Sequence, residues 1–240
     1  MPSFYIDFNE VMTTFEVMGE EYHHIANVFR HKIGDILALT NGKGLIANAS
    51  ITAISKKSLT IKINDCHFTP QTSPKVACAF SLLKGKNDLL IVEKLTELGV
   101  QDLFPMQTEY SVKLSKENTI TKMMSAAISA IKQCNNPYLP NIHTILGLEQ
   151  ALKIMREKGY KPLLASEKQP DKSLCELLAS DDFSNKDICM IIGPEGGFSD
   201  KEFEFFDKDQ IQQVTLHHNI LRAETAAICA VSQAWAFSKM

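Results

Sequence analysis

From residue 75 onward, short apolar runs alternate with amphipathic stretches, and no other feature restricts the architecture as much. "VACAFSLL" precedes the helical pattern "DLLIVEKLTELG", and "QDLFPM" precedes a long helix expected from about Thr119 to Cys134. "NIHTIL" is followed by "LEQALKIMREKG", and "KPLLAS" by "SLCELLA". "DICMIIG" then leads to a short helix, the strand "QQVTL" and a closing helix from Glu224 to about Phe237. Strands that are apolar throughout have no face to give to water. They belong in a mostly parallel sheet with helices on both faces. The expected class is α/β.

Residues 1–70 have a different rhythm. "SFYIDF" alternates, "DILALT" runs into the turn residues Asn41 and Gly42, and "LTIKIND" puts Leu59, Ile61 and Ile63 on one face. A small β-barrel of about six strands buries such strands without leaving edges. One short helix interrupts it in "EEYHHIANVFR", where Tyr22, Ile25 and Phe29 fall at helical spacing with Val28 beside them. The prolines of "TPQTSPK" (residues 69–75) mark a linker. The domains expected are therefore 1–70 and 75–240.

Composition excludes several classes. Lys+Arg 25 against Asp+Glu 28 gives a net charge of -3, which rules out a polybasic nucleic-acid coat but allows a local basic patch. The six cysteines are scattered with no CxxC pair, so neither a disulfide framework nor a zinc site is expected, and a reducing cytoplasm fits. The first ten residues, "MPSFYIDFNE", have no signal-like pattern, and no apolar run approaches the roughly 20 residues that span a bilayer. The pairs His23-His24 and His217-His218 lack partner ligands at useful spacing, and adjacent side chains diverge on a helix or strand, so no metal is expected. His24 is expected to pack or hydrogen-bond within the barrel.

The sharpest local signal is "IIGPEGGFSDKEFEFF", residues 191–206. An apolar strand enters Gly193-Pro194-Glu195-Gly196-Gly197, whose glycines allow positive φ and a close approach of backbone amides to a ligand. Ser199 with Glu202 then predicts a capping box. A glycine turn at the carboxyl end of a parallel strand stands where open α/β sheets bind ligands, although a plain βα turn has the same outline. It is neither GxGxxG nor a P-loop, and Glu195 would repel phosphate but tolerate a positively charged ligand such as a sulfonium or ammonium. In "LHHNILRAETAAICAVSQAWAF" (216–237), Ala227, Ala230, Val231 and Ala234 form a small-residue face for a core or a subunit interface. Glu224 suits a helix start, and Arg222 lies on the same carboxyl edge as the glycine turn.

Taken together, "HHIANVFRHKIGD" (23–35), "KLTELGV" (94–100), "TEYS" (108–111), "IKQC" with "YLP" (131–140), "IIGPEGGFS" (191–199) and "ILRAETA" (220–226) resemble the RsmE family, the ribosomal RNA small subunit methyltransferases E. The resemblance runs nearly the whole length. It implies a small PUA-like β-barrel that helps bind RNA, followed by a SPOUT-type knotted, mostly parallel sheet flanked by helices. It implies a homodimer whose sites are completed near the subunit interface. The implied reaction is S-adenosylmethionine-dependent methylation of uridine N3 near the 3′ end of 16S rRNA, within the small ribosomal subunit. Carried over by position, the cofactor pocket comprises Leu164 and Ala165, the turn containing Gly193, Glu195, Gly196 and Gly197, and Leu216, His217, Asn219, Ile220 and Leu221. Arg30, Lys84 and Lys94 are the RNA-facing candidates.

Three positions depart from the family pattern. His217 replaces a glycine, Tyr110 replaces an arginine, and "KQCNN" (132–136) ends on Asn136 without one. Chemically, N3 must lose its imide proton before it attacks the methyl carbon, and negative charge develops on the ring. Arg222 is the candidate to stabilise that charge, because a guanidinium stays protonated and cannot accept the proton. Glu195, Glu224 or water remain alternatives as acceptor. The rival functions are a SPOUT enzyme acting on a tRNA ribose 2′-hydroxyl and a relative that binds RNA without catalysis.

Overall fold

The computed structural model describes residues 3–111, 117–168, 170, 172–183 and 185–238. They form two compact units, the first made of Met1–Gln71 and Ile128–Leu139, the second of Thr72–Ala127 and Pro140–Met240.

In the first unit β1 (Phe4–Tyr5), β2 (Thr14–Met18), β3 (Ile36–Thr40), β4 (Leu45–Ile54) and β5 (Ser58–Phe68) make one sheet in the order β1-β3-β4-β5-β2. The barrel of about six strands expected from the sequence is thus five strands among the described residues, with β1 and β2 each paired on one side only. Alternate residues face inward, as the pleat requires: Leu37 and Leu39, Ala47, Ala49 and Ile51, and Leu59 and Ile61 pack with Phe4, Phe8, Val17 and Ile25. Asn41 sets the β3–β4 turn, its Oδ1 accepting from the amides of Lys43 (2.8 Å) and Leu45 (3.1 Å).

The interrupting helix departs from the expected stripe. α1 (Gly19–Tyr22) passes into a π-helical turn (His23–Val28), closed by the Phe29 amide donating to the His24 carbonyl at 2.9 Å. The wider turn rotates the following side chains off the buried face. Ile25 is fully buried, whereas Val28 (55% exposed) and Phe29 (51%) point to solvent. His24 does bond within this unit, with Nδ1 3.2 Å from Lys132 Nζ.

The second unit is an all-parallel six-stranded sheet in the order β11-β9-β10-β6-β7-β8. Its strands are β6 (Val76–Ser81), β7 (Asp102–Met106), β8 (Asn141–Ile142), β9 (Lys161–Ala165), β10 (Ile188–Ile192) and β11 (Gln212–Val214). The connecting helices are α2 (Asn87–Glu97), α3 (Thr119–Cys134, which belongs to the first unit from Ile128 on), α4 (Leu148–Glu157), α5 (Leu174–Leu178), α6 (Asp200–Lys208) and α7 (Ala223–Ser238). β6 and β10 are buried at every position, which is why their sequences show no alternation. Ala77, Ala79, Cys189 and Ile191 meet α4 and α6 on one face, and α7 packs on β6 and β10. The small-residue face of α7 belongs to this core: Ala227, Ala230 and Val231 are fully buried and Ala234 nearly so. All six cysteines are free thiols, and burial pushes those of Cys78 and Cys189 upward. No helix among the described residues is long and apolar enough to cross a membrane.

Candidate functional site

Strands β11, β9 and β10 are neighbours, and their registers align Val214 with Ala165 and Ile191 with Leu164. Their carboxyl ends therefore finish side by side, bringing together the three loops singled out in the sequence. A ligand bound there would meet backbone from three separate segments.

The turn after β10 is closed by the Gly197 amide donating to the Pro194 carbonyl at 2.9 Å. Its glycines are constrained in different ways and to different degrees. Gly197 adopts φ +71, a region costly for any residue with a Cβ. A Cβ on Gly193 would lie 2.9 Å from the Phe198 ring, and one on Gly196 would lie 3.2 Å from Tyr110 Cβ. Phe198 is itself fixed by an edge-on contact with Phe206 of α6, ring centres 4.9 Å apart. The predicted capping box is present: Ser199 Oγ accepts from the Glu202 amide (3.3 Å) and Glu202 Oε2 from the Ser199 amide (2.8 Å). Glu202 Oε1 also accepts from the Glu109 amide at 3.1 Å, tying the start of α6 to the segment carrying Tyr110.

Glu195 is exposed, and its Oε1 accepts from the Lys84 amide at 3.1 Å. That bond adds a fourth segment, the loop after β6, to the same edge. The sequence placed Lys84 among RNA-facing residues and did not connect it to Glu195.

Beyond β11 the chain is held from two sides. The Leu174 amide donates to the Thr215 carbonyl (2.9 Å) and the Thr215 amide to the Lys172 carbonyl (3.1 Å), so the loops after β9 and β11 are stitched together. Gln233 of α7 donates from Nε2 to the Leu216 carbonyl at 3.0 Å. His217, which stands where the family pattern has glycine, uses Nδ1 to accept from the Asn219 amide at 3.1 Å and so caps the turn. Its ring lies 4.0 Å from that of His218, so adjacent histidines do converge here, in a loop rather than on a regular element. Among the described residues no cluster of three His, Cys, Asp or Glu could hold a metal.

Arg222 is exposed, its carbonyl accepts from the Ala226 amide (2.8 Å) at the start of α7, and its guanidinium has no hydrogen bond or ion pair among the described residues. A cation at a helix N-terminus opposes the macrodipole by about 0.3–1 kcal/mol. Stability does not call for an arginine here, whereas an electron-rich ligand would. Of the other candidates, Leu164 is fully buried in the core and can offer only backbone, and Ala165 is half-buried at the strand end. Asn219 and Ile220 are exposed, Ile220 by 79%, and Leu221 is partly buried.

The RNA-facing candidates fall in both units, Lys84 and Lys94 in the second and Arg30 in the first. Lys94, on α2, is held by Glu93 (2.7 Å) and Glu97 (2.8 Å), hydrogen bonds that raise its pKa and leave its charge locally neutralised.

Two residues of this edge were missed as site components. Tyr110, 46% exposed, lies against Gly196. Thr108 supports it, its Oγ1 donating to Ser81 Oγ (2.9 Å) and lying 2.8 Å from Ser111 Oγ. The only sequence signal was that Tyr110 breaks the family pattern.

A family model described as an RNA methyltransferase domain matches residues 70–235, and one described as an RNA methyltransferase PUA domain matches residues 18–64. The ribosomal RNA small subunit methyltransferase E of Rickettsia conorii is 30% identical over 212 residues, covering 88% of this chain and 84% of its own length. Its namesake in Bacillus subtilis is 29% identical over 230 residues, covering 93% and 90%. The crystal structure of a ribosomal RNA small subunit methyltransferase E from Neisseria gonorrhoeae bound to S-adenosyl methionine aligns with a TM-score of 0.87 at 26% identity, covering 98% of this chain and 97% of that one.

Proposed function

Because the chain belongs to the ribosomal RNA small subunit methyltransferase E family, we propose that it methylates N3 of a uridine near the 3′ end of 16S rRNA, using S-adenosylmethionine. The observation that carries this is the convergence of three ligand-ready loops at the carboxyl edge of a sheet whose relative was crystallised with that cofactor.

The residues present fit such a group. The exposed Gly196 leaves backbone accessible, and Glu195 places a carboxylate beside a ligand of positive charge. Leu164 and Ala165, Gly193 to Gly197, and Leu216 to Leu221 would hold it through backbone groups. When bound, S-adenosylmethionine supplies the electrophilic methyl group. The chain's own part is to place the uracil ring in line with that methyl and to exclude water, largely a matter of positioning. Arg222, whose guanidinium has no competing partner among the described residues, stabilises the negative charge that N3 deprotonation leaves on the ring. N3 lies on the Watson–Crick edge, so the target nucleotide must be unpaired or extruded before reaction.

In the same proposal, residues 1–70 are an RNA-binding PUA-like domain and residues 75–240 a SPOUT-type knotted catalytic domain. The enzyme works as a cytoplasmic homodimer on the small ribosomal subunit. Nucleoside mass spectrometry of 16S rRNA from cells with and without the gene tests the reaction. Loss of N3-methyluridine is the expected result, and an unaltered profile removes the substrate.

A further inference from the structure

Tyr110 is held firmly at its backbone and left open at its tip. In the segment after β7, Thr108 Oγ1 donates to Ser81 Oγ (2.9 Å) and the Thr108 amide to Ser111 Oγ (3.0 Å). The Ser111 amide donates to the Thr108 carbonyl (3.1 Å), and the Glu109 amide to Glu202 Oε1 at the start of α6 (3.1 Å). These bonds fix where the tyrosine side chain leaves the main chain. Its hydroxyl, by contrast, makes no hydrogen bond among the described residues, and the residue is 46% exposed.

The ring stands beside the donor turn. A Cβ on Gly196 would lie 3.2 Å from Tyr110 Cβ and 3.8 Å from its Cγ, so the tyrosine packs on one side of Gly196. Glu195 and Gly196 are the exposed residues of that turn, and an acceptor base must reach the donor methyl from an open side. Other rings near the turn are already occupied. Phe198 sits edge-on to Phe206, centres 4.9 Å apart, and Lys168 Nζ lies 3.4 Å from the centre of the Phe203 ring. An extruded base loses its stacking neighbours, and an aromatic face replaces them. Tyrosine, standing where the family pattern has arginine, offers no charge to a phosphate. It offers a flat face and a hydroxyl donor.

We propose that Tyr110 seats the target uracil, the base stacking on the phenol ring while the hydroxyl donates to one of the two carbonyls flanking N3. This rests on the reading of the protein as a uridine N3-methyltransferase and names the side chain that receives the acceptor. Loss of the N3 proton puts negative charge on both carbonyls, so the hydroxyl bond strengthens as the reaction proceeds. The ring acts mainly on binding of the base, the hydroxyl mainly on the rate.

The test is methylation of small ribosomal subunits from cells lacking the gene, by full-length variants with S-adenosylmethionine as donor. Tyr110→Leu keeps bulk against Gly196 but removes the stacking face, and should lower kcat/KM for the subunit about tenfold, chiefly through KM. Tyr110→Phe keeps the face and loses the donor, so kcat should fall about fivefold with KM little changed. Tyr110→Trp should keep KM near that of the parent. Donor affinity by calorimetry and the melting temperature should stay unchanged in all three, a split that mere support of the turn would not produce. Full activity in Tyr110→Leu overturns the proposal while the parent's activity leaves the assigned reaction standing. A matching loss of donor affinity in Tyr110→Leu also overturns it, since the ring would then serve the donor. If the parent itself leaves the subunits unmethylated, the uridine assignment falls and this one with it.

Discussion

The two ends of the parallel sheet have opposite chemistry. At the amino end, where β7 and β8 begin, the buried Asp102 is fully engaged. Its Oδ2 accepts from the Tyr160 hydroxyl (2.7 Å), and its Oδ1 from Asn141 (2.8 Å), with His143 Nε2 at 2.8 Å and Lys158 Nζ at 2.9 Å. Phe104 stacks on His143 with ring centres 4.1 Å apart and closes the cluster. At the carboxyl end some polar groups are left open: the backbone of Gly196 is exposed, and the Arg222 guanidinium has no hydrogen bond or ion pair among the described residues. A charge can be buried only when satisfied, so the first arrangement stabilises the fold. Groups left unsatisfied in a positioned loop are available to a ligand. The difference separates residues that hold the sheet from residues that use it.

The largest expected effect breaks the amino end. Asp102→Ala leaves Lys158 and the Tyr160 hydroxyl without their acceptor and should cost about 3 kcal/mol or more in urea unfolding. Cofactor affinity measured on the folded fraction should stay within a factor of two or so, because the cluster stands at the opposite end of the strands. A large loss of affinity without loss of stability would reverse the contrast.

At the other end, Arg222→Ala should reduce the rate of methyl transfer about 10²–10³-fold, the usual loss when one charge-stabilising donor is removed. S-adenosylmethionine affinity by calorimetry and the melting temperature should scarcely move. A fall of less than tenfold in single-turnover rate would take Arg222 out of the reaction.

A smaller effect sharpens the comparison by pH. Burial alone would raise the Asp102 pKa, but the bonds from Tyr160, His143, Lys158 and Asn141 outweigh it and bring the carboxyl to about 2. A depressed carboxyl contributes stability above its unfolded pKa and loses it as pH falls through the folded one. About 2 kcal/mol should therefore disappear between roughly pH 4 and pH 2. In Asp102→Asn that part of the acid profile should flatten, and its persistence would show that another carboxyl carries it.

The sheet was legible because strands buried on both faces leave no alternation to misread, as in "DICMIIG", and because Ser199 and Glu202 carry a capping signal in their spacing. The π-helical turn was not. Tyr22, Ile25 and Phe29 satisfy an α-helical stripe on paper, and one wider turn sends Phe29 outward. Nor does composition change at Ile128–Leu139, which groups with the first unit through the Ser3 amide on the Lys132 carbonyl and the Gly44 amide on the Pro137 carbonyl. Bonds between residues 129 and 93 positions apart leave no local trace. In the site, the glycine turn and Arg222 could be singled out from local pattern. The Glu195 bond to the Lys84 amide and the contact of Tyr110 with Gly196 depend on which strands become neighbours, and only the folded sheet decides that.

The stitching of Leu174 to Thr215, with Gln233 fastening Leu216 from α7, has a consequence for biogenesis. The proposed donor crevice is complete only once the last helix has folded, because Gln233 of α7 holds the Leu216 carbonyl. A chain cut short before α7 should therefore take up S-adenosylmethionine more weakly even with most of the sheet in place, which calorimetry would show.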